Sequence, residues 1–218
     1  MSGKRLAPTG TILIGGVDPF KHGLEGVTYL GMEWVLNPIV RNDIHVHELL
    51  ASVGGNHYPQ RRDQLVRILD IDVDWRMHAV SDGERRRVQL AMGLLRPWSI
   101  LLLDEVTVDL DVLARARFLR FLKEETESRP CTVVYATHIL ESAGAWATHL
   151  VRVTLGSVKY YGETEVVLRE QGSGSAGLLE VVLRWLEEDL EERGPRGKKK
   201  SEAVSYSDMM KVEYDIEV

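Results

Sequence analysis

One stretch limits the possible folds more than any other. Ile100-Leu101-Leu102-Leu103-Asp104-Glu105 is a continuous apolar run closed by two acids. A run with no polar alternation suits a strand buried on both faces, and such strands belong to parallel sheets covered by helices. The surrounding sequence supplies those parts. VTYLG (Val27–Gly31) reads as a strand, and CTVVYATH, from Cys131, reads as another buried strand. Between them lie helical stretches. Residues 43–70 form helices broken at His57-Tyr58-Pro59, with Leu65, Ile68 and Leu69 at helical spacing. GERRRVQLAMGLLRP follows Ser81, with Val88, Leu90, Ala91, Leu94 and Leu95 on one side and Pro97 at its end. LDVLARARFLRFLKEETES places Leu113, Ala116, Phe118, Leu119 and Leu122 on its inner side. Strand–helix–strand alternation makes the fold α/β with a parallel core sheet. A short strand is also expected at Thr11–Gly15, and HLVRVTLGSVKYYG reads as two strands joined at Leu155-Gly156-Ser157.

The C-terminal part is different in kind. Gly172–Gly177 (GSGSAG) is a joint, and LLEVVLRWLEEDLEE is an amphipathic helix with Leu179, Val182, Leu186 and Leu190 on its apolar face and Leu178 and Trp185 beside it. RGPRGKKK ends it, and residues 194–218 are expected to be poorly ordered. Composition narrows the function classes. Twenty-seven basic against 33 acidic residues give a net charge of −6, the wrong sign for a general binder of nucleic-acid backbone. No apolar run approaches the ~18 residues of a membrane span, and no apolar signal core follows the N-terminal basic residues. The lone Cys131 allows no internal disulfide and reads as a small core residue.

The chemistry sits at strand and helix ends. A buried parallel strand delivers its last side chains to the carboxyl edge of the sheet, where ligands bind in open α/β folds. Asp104 there can hold Mg²⁺ and Glu105 can polarise an attacking water; taken alone, the run reads equally well as a strand that ends in solvated acids. Upstream, Val80-Ser81-Asp82-Gly83-Glu84 opens a helix: Ser81 is a good N-cap, and the positive end of the helix suits an anion. Downstream come Val106-Thr107-Val108-Asp109-Leu110-Asp111, and His138 at the end of the next strand. Arg85, Arg86 and Arg87 read as a solvated face of the helix. His45 and His47 read as a solvated helix start, and Trp75, Trp98 and Trp146 as packing.

These features, in this order, resemble the ATP-binding-cassette (ABC) ATPase domain, over about Gly10 to Gly162. VSDGE looks like the family signature, ILLLDE like the Walker B strand with its catalytic glutamate, VTVDLD like the D-loop with Asp111 in its aspartate place, and ATHIL like the switch histidine. VTYLGMEW is similar to the Q-loop region. The resemblance implies a P-loop NTPase-like fold, ATP and Mg²⁺ as ligands, Glu105 and His138 as catalytic residues, and Ser81, Asp82, Gly83, Glu84 and Asp111 as nucleotide contacts. It puts Asp104 on the metal. Met32 stands where the Q-loop glutamine is expected, and the adjacent Glu33 is the second metal candidate. Asp82 replaces the first signature glycine. Its charge is expected to weaken nucleotide binding unless it points away or finds a cation.

The phosphate loop, G-x-x-x-x-G-K-S/T, does not occur in the sequence. Gly3-Lys4 has no preceding glycine and Gly15-Gly16 no lysine. The chain is therefore expected to start downstream of that loop and to lack the first strands. It divides into a partial ABC domain (1–162), a linker and helix (163–193) and a tail (194–218). The phosphate-loop strand is expected beside the Walker B strand, and these residues alone are expected not to turn over ATP. Family dimers imply a second ABC domain as partner, whose nucleotide Ser81 and Gly83 would cap. SDGERRRVQ, VTYLGMEW and the C-terminal helix look like the soluble ABC ATPases of the eukaryotic Ccr–Not complex. That resemblance implies a regulatory switch in gene expression rather than a transporter, in the cytoplasm, the nucleus or both, without membrane or direct nucleic-acid contact. The alternative is a non-catalytic interaction module that binds partners through the signature face and the C-terminal helix.

Overall fold

The structure, a computed structural model, describes residues 13–14, 16–18, 25–31, 41–141, 143–171 and 177–194. Its contacts divide the chain into two compact units, Met1–Trp146 and Ala147–Val218.

The first unit contains β1 (Val27–Leu30), α1 (Val46–Ser52), α2 (Pro59–Ile68), α3 (Asp82–Leu94), β2 (Ile100–Asp104), α4 (Val112–Ser128), β3 (Thr132–Ala136) and α5 (Ala143–Trp146). Among the described strands the order is β1-β2-β3, and both pairings are parallel. Val27 lies opposite Ile100 and Ile100 opposite Thr132. Leu101, Leu102 and Leu103 are buried, as expected of a central strand with helices on both sides. Pro59 opens α2 with its φ preset, Ser81 caps α3 and Asp111 caps α4. Val88, Leu90, Ala91 and Leu94 of α3 join Phe118, Phe121 and Leu122 of α4 in one core with Leu65 and Trp98.

Four expectations change. β3 is not buried on both faces: exposed and partly buried residues alternate along it, because β2 is its one partner among the described strands and one face packs on the core. The place beside β2 is also not open to a phosphate-loop strand. β1 and β3 hold both of its edges, so a further strand would have to join at β1 or β3. On α4 the inner face is Ala114, Phe118, Leu119, Phe121 and Leu122, while Leu113 and Ala116 are exposed. The Asp111 cap sets this register by accepting the Ala114 N–H at 2.9 Å. Of the strand expected at Thr11–Gly15, Ile14 makes a lone antiparallel bridge to Val17, and Thr11, Ile12 and Gly15 lie outside the described residues.

The second unit holds β4 (His149–Thr154), β5 (Ser157–Glu163), α6 (Thr164–Gln171) and α7 (Leu178–Arg193). The hairpin closes on Leu155 and Gly156, both at positive φ (48° and 78°), the two-residue turn whose twist suits paired strands. Its small core joins Val167, Val181 and Trp185 with Leu150, Tyr160 and Leu168. The inner face of α7 is therefore Leu178, Val181 and Trp185, and the expected face of Leu179, Leu186 and Leu190 is exposed. Trp185 decides this. Its indole N–H donates to the Gln171 side chain at 2.8 Å, its ring lies 5.8 Å from Tyr160, and its carbonyl accepts from Arg152 at 2.9 Å. Most of the GSGSAG joint (172–176) and nearly all of the tail (195–218) lie outside the described residues.

One charge cluster fastens α2 to α4. Glu125, with 13% of its side chain exposed, accepts from Arg61 at 3.0 Å on each oxygen and from Arg129 at 2.7 and 2.9 Å. Burial pushes its carboxyl up, but the two guanidinium partners outweigh burial and hold it below the usual range. Glu125→Gln is expected to cost about 2 kcal/mol, less than a fully buried pair because both arginines keep some solvent. A lowered folded value means this stability is present above the unfolded value of about 4.3 and is lost as pH falls through the folded one. Urea titrations of both proteins from pH 7 to pH 3 check this: their midpoints should converge at the acidic end.

Candidate functional site

β2 ends by delivering two carboxylates of different character. Asp104 is exposed, and its Oδ2 accepts from the Tyr29 hydroxyl at 3.2 Å across the β1–β2 pairing. Glu105 is partly buried. Its backbone turns into the left-handed region (φ 52°), and its N–H still reaches the Ala136 carbonyl at 3.0 Å. That turn carries the side chain toward the end of β3, where His138 Nδ1 lies 2.8 Å from Glu105 Oε2. The contact is not aligned as a hydrogen bond, so a buried carboxylate oxygen remains without a donor. His138 is largely exposed. Below this site Thr107 and Tyr135 share a 2.6 Å hydroxyl contact that ties the segment after Glu105 to β3.

A second cluster surrounds the start of α3. Ser81 accepts the Glu84 N–H at 3.3 Å, while its own N–H and hydroxyl donate to Glu84 Oε2 at 2.7 and 2.8 Å. The Ser81 N–H, then its hydroxyl, hold the Glu84 carboxyl below its ordinary value. Asp82 finds the cation that its position requires: Arg85 donates to it at 2.7 Å. Gly83 has a packing reason to be glycine, because a Cβ would come within 2.9 Å of the Asp109 carbonyl oxygen. Asp111 is bound on two sides, by the Ala114 N–H and by Arg87. The Ala114 N–H is the main reason its carboxyl is lowered, with the Arg87 charge adding to it.

The predicted residues thus fall into two sets. Asp104, Glu105 and His138 meet at the strand ends; Ser81, Asp82, Gly83, Glu84 and Asp111 gather around the first turn of α3. Glu33, and Met32 with it, lie outside the described residues.

The three arginines do not form a solvated face. Arg85 and Arg86 are buried, and Arg87 is mostly so. Arg86 donates to the Gly31 carbonyl at 3.0 Å, to Gln89, and to Asp109 at 3.3 Å, and Gln89 adds a 2.9 Å bond to Gly31. One pair of side chains therefore joins the end of β1, α3 and the loop after β2. The sequence holds a signal for this. Three successive helical residues sweep about 200°, so three arginines in a row on an apolar helix cannot all face water.

Asp104 fits a Mg²⁺ ligand: it is an accessible hard oxygen donor at a sheet's carboxyl edge. Among the described residues no three His, Cys, Asp or Glu side chains gather into a metal cage. A cation held by one carboxylate together with substrate phosphates needs none.

A family profile described as "AAA domain, putative AbiEii toxin, Type IV TA system" matches residues 55–142, from the loop before α2 to just beyond His138. Over 174 residues the chain is 52% identical to CCR4-associated factor 16 of Saccharomyces cerevisiae, covering 72% of this chain. It is 44% identical over 179 residues to ABC transporter I family member 20 of Arabidopsis thaliana, covering 79%. The chain carries an ABC ATPase-like domain. It spans 60% and 53% of the lengths of these two relatives. The ABC fold is also that of a solved ATP-binding subunit of an ABC transporter, with a TM-score of 0.58 at 20% identity over 74% of this chain and 68% of that one. No described helix is long and apolar enough to cross a membrane.

Removing the buried guanidinium of Arg86 leaves Asp109 and the Gly31 carbonyl short of a donor. Arg86→Met is expected to destabilise the fold by about 3 kcal/mol. Arg87→Met, whose partners are more exposed, should cost well under half as much. Thermal or urea unfolding of the two variants side by side reads the difference.

Proposed function

We propose that this chain forms part of an ATP-hydrolysing protein of the ABC class that acts as a regulatory switch and moves no solute. The observation that supports this best is the pairing of Glu105 with His138 at 2.8 Å, next to the accessible Asp104. Glu105 is partly buried, and a water that reaches its carboxylate would be oriented and polarised by it. His138 holds that carboxylate from the outer side and can hydrogen-bond a phosphate oxygen or the water. Tyr29 fixes the direction of Asp104, which would hold Mg²⁺. Bound Mg²⁺ would neutralise charge developing on the phosphates.

Ser81 and Gly83 serve a different nucleotide in this reading. The first turn of α3, capped and rigid, presents backbone N–H groups to the phosphates of a nucleotide on a second ABC domain. Asp82 does not spoil that face, since Arg85 balances its charge. Asp111 positions this turn through Arg87 and need not touch nucleotide itself. Glu33 completes the proposed metal set.

The name of the yeast relative carries association with CCR4. We extend this to a Ccr–Not-like assembly as the place of action, in cytoplasm or nucleus. The Arabidopsis name carries transport; the yeast relative's name, at the higher identity, favours the switch.

Glu105→Gln in the whole protein is expected to lower kcat for ATP at least 100-fold while changing KM less than fivefold, because it removes the base and keeps the shape. Steady-state phosphate release measures both. A variant with unchanged kcat would sink this assignment. If the whole protein binds no ATP·Mg²⁺ in equilibrium dialysis, the non-catalytic reading, a module that caps a partner's nucleotide, replaces it.

A further inference from the structure

The second unit shows a feature that ATP chemistry does not use. Leu179, Leu183, Leu186 and Leu190 of α7 are each more than half exposed (57, 51, 56 and 58%). Their spacing is four, three and four residues. At 100° per residue they fall within an arc of about 60° and run for about 16 Å along the helix. This is the spacing of a coiled-coil seam, with leucine at each a and d position. It is a second apolar face. The first, Leu178, Val181 and Trp185, is already buried, with Val181 and Trp185 in the unit's own core.

The helix is held firmly with this stripe outward. Arg152 grips Glu188 at 2.7 Å, Asp189, and the Trp185 carbonyl, while Lys159 holds Glu192 at 2.8 Å. These pairs use up the acids on the inner side. Glu187 and Glu191 lie along the free side of the leucine stripe, beside Arg184, and have no ion-pair partner among the described residues. Overall α7 carries six acids and two arginines.

Spacing and charge together specify the occupant. Leucines at heptad spacing accept knobs from another α-helix. A second copy of this chain is disfavoured, because pairing α7 with itself sets one acidic row against another. An anionic membrane surface is disfavoured by the same charge. We infer that the Leu179–Leu190 stripe of α7 is a docking surface for an amphipathic helix of a partner protein, with apolar residues at heptad spacing flanked by Lys or Arg.

Two designed 21-residue helical peptides test this with the full chain by fluorescence anisotropy. Both have leucine at a and d; one has lysine at e and g, the other glutamate. The lysine peptide should bind at least tenfold more tightly than the glutamate peptide. Leu183→Gln with Leu186→Gln changes only exposed positions and should weaken the lysine peptide at least tenfold with an unaltered far-UV circular dichroism spectrum. Glu187→Lys with Glu191→Lys leaves the leucines in place and should reverse the preference between the peptides. Equal binding of both peptides by the native chain overturns the proposal. So does undiminished binding by the leucine variant. Sedimentation equilibrium gives a separate check: a dimer that the leucine variant abolishes would make a second copy the occupant and overturn it as well.

Discussion

The parallel pairing of Ile100–Asp104 on both of its edges is the constraint on which the first unit depends. A strand held on two sides and buried on two faces cannot shift its register without breaking both ladders. Asp104 and Glu105 therefore emerge at a fixed point, level with the end of β3 and its His138. Tyr29 reaches Asp104 from one neighbouring strand and His138 reaches Glu105 from the other. Each carboxylate is oriented by a different strand. The sheet thus sets their positions and also gives the two acids separate roles.

The α3 cluster depends on the opposite device, charges taken inside. Arg85, Arg86 and Arg87 each leave water and each meet carboxylates or carbonyls within reach. Such groups are costly to bury and more costly to leave half-paired. Their effect is connection. Arg86 and Gln89 fasten the end of β1 to α3, and Arg86 and Arg87 fasten α3 to the loop after Glu105. The loop containing Asp109 and Asp111 is thus tied to the end of β1 and to the first turns of α3 by these arginines.

The parts legible in the sequence were those with a local signature. An unbroken apolar run closed by acids identified β2; Ser81 and Asp111 marked two helix starts; Pro97 marked an end. Periodicity failed where a helix has more than one apolar stripe. On α7 the leucine stripe and the Leu178–Val181–Trp185 stripe lie about 140° apart, and no local rule ranks them. The choice falls to Trp185, whose wide ring and bonds to Gln171 and Arg152 are tertiary facts. On α4 the same ambiguity put Leu113 inside, whereas it sits on an exposed first turn. β3 read as buried because its composition is that of a core strand, and composition does not show how many neighbours a strand will have. That three successive arginines cannot all face water is local information, but their partners Gly31, Asp70 and Asp109 are distant in sequence.

Glu105 carries a conflict between shape and chemistry. Its left-handed backbone suits glycine and costs another residue on the order of 1–2 kcal/mol. The fold bears that strain at the very side chain proposed to act on water. A glycine at this position would relax that strain, but it would also loosen the unfolded chain and give up the contact with His138, so the strain and the carboxylate are held together by the same neighbours.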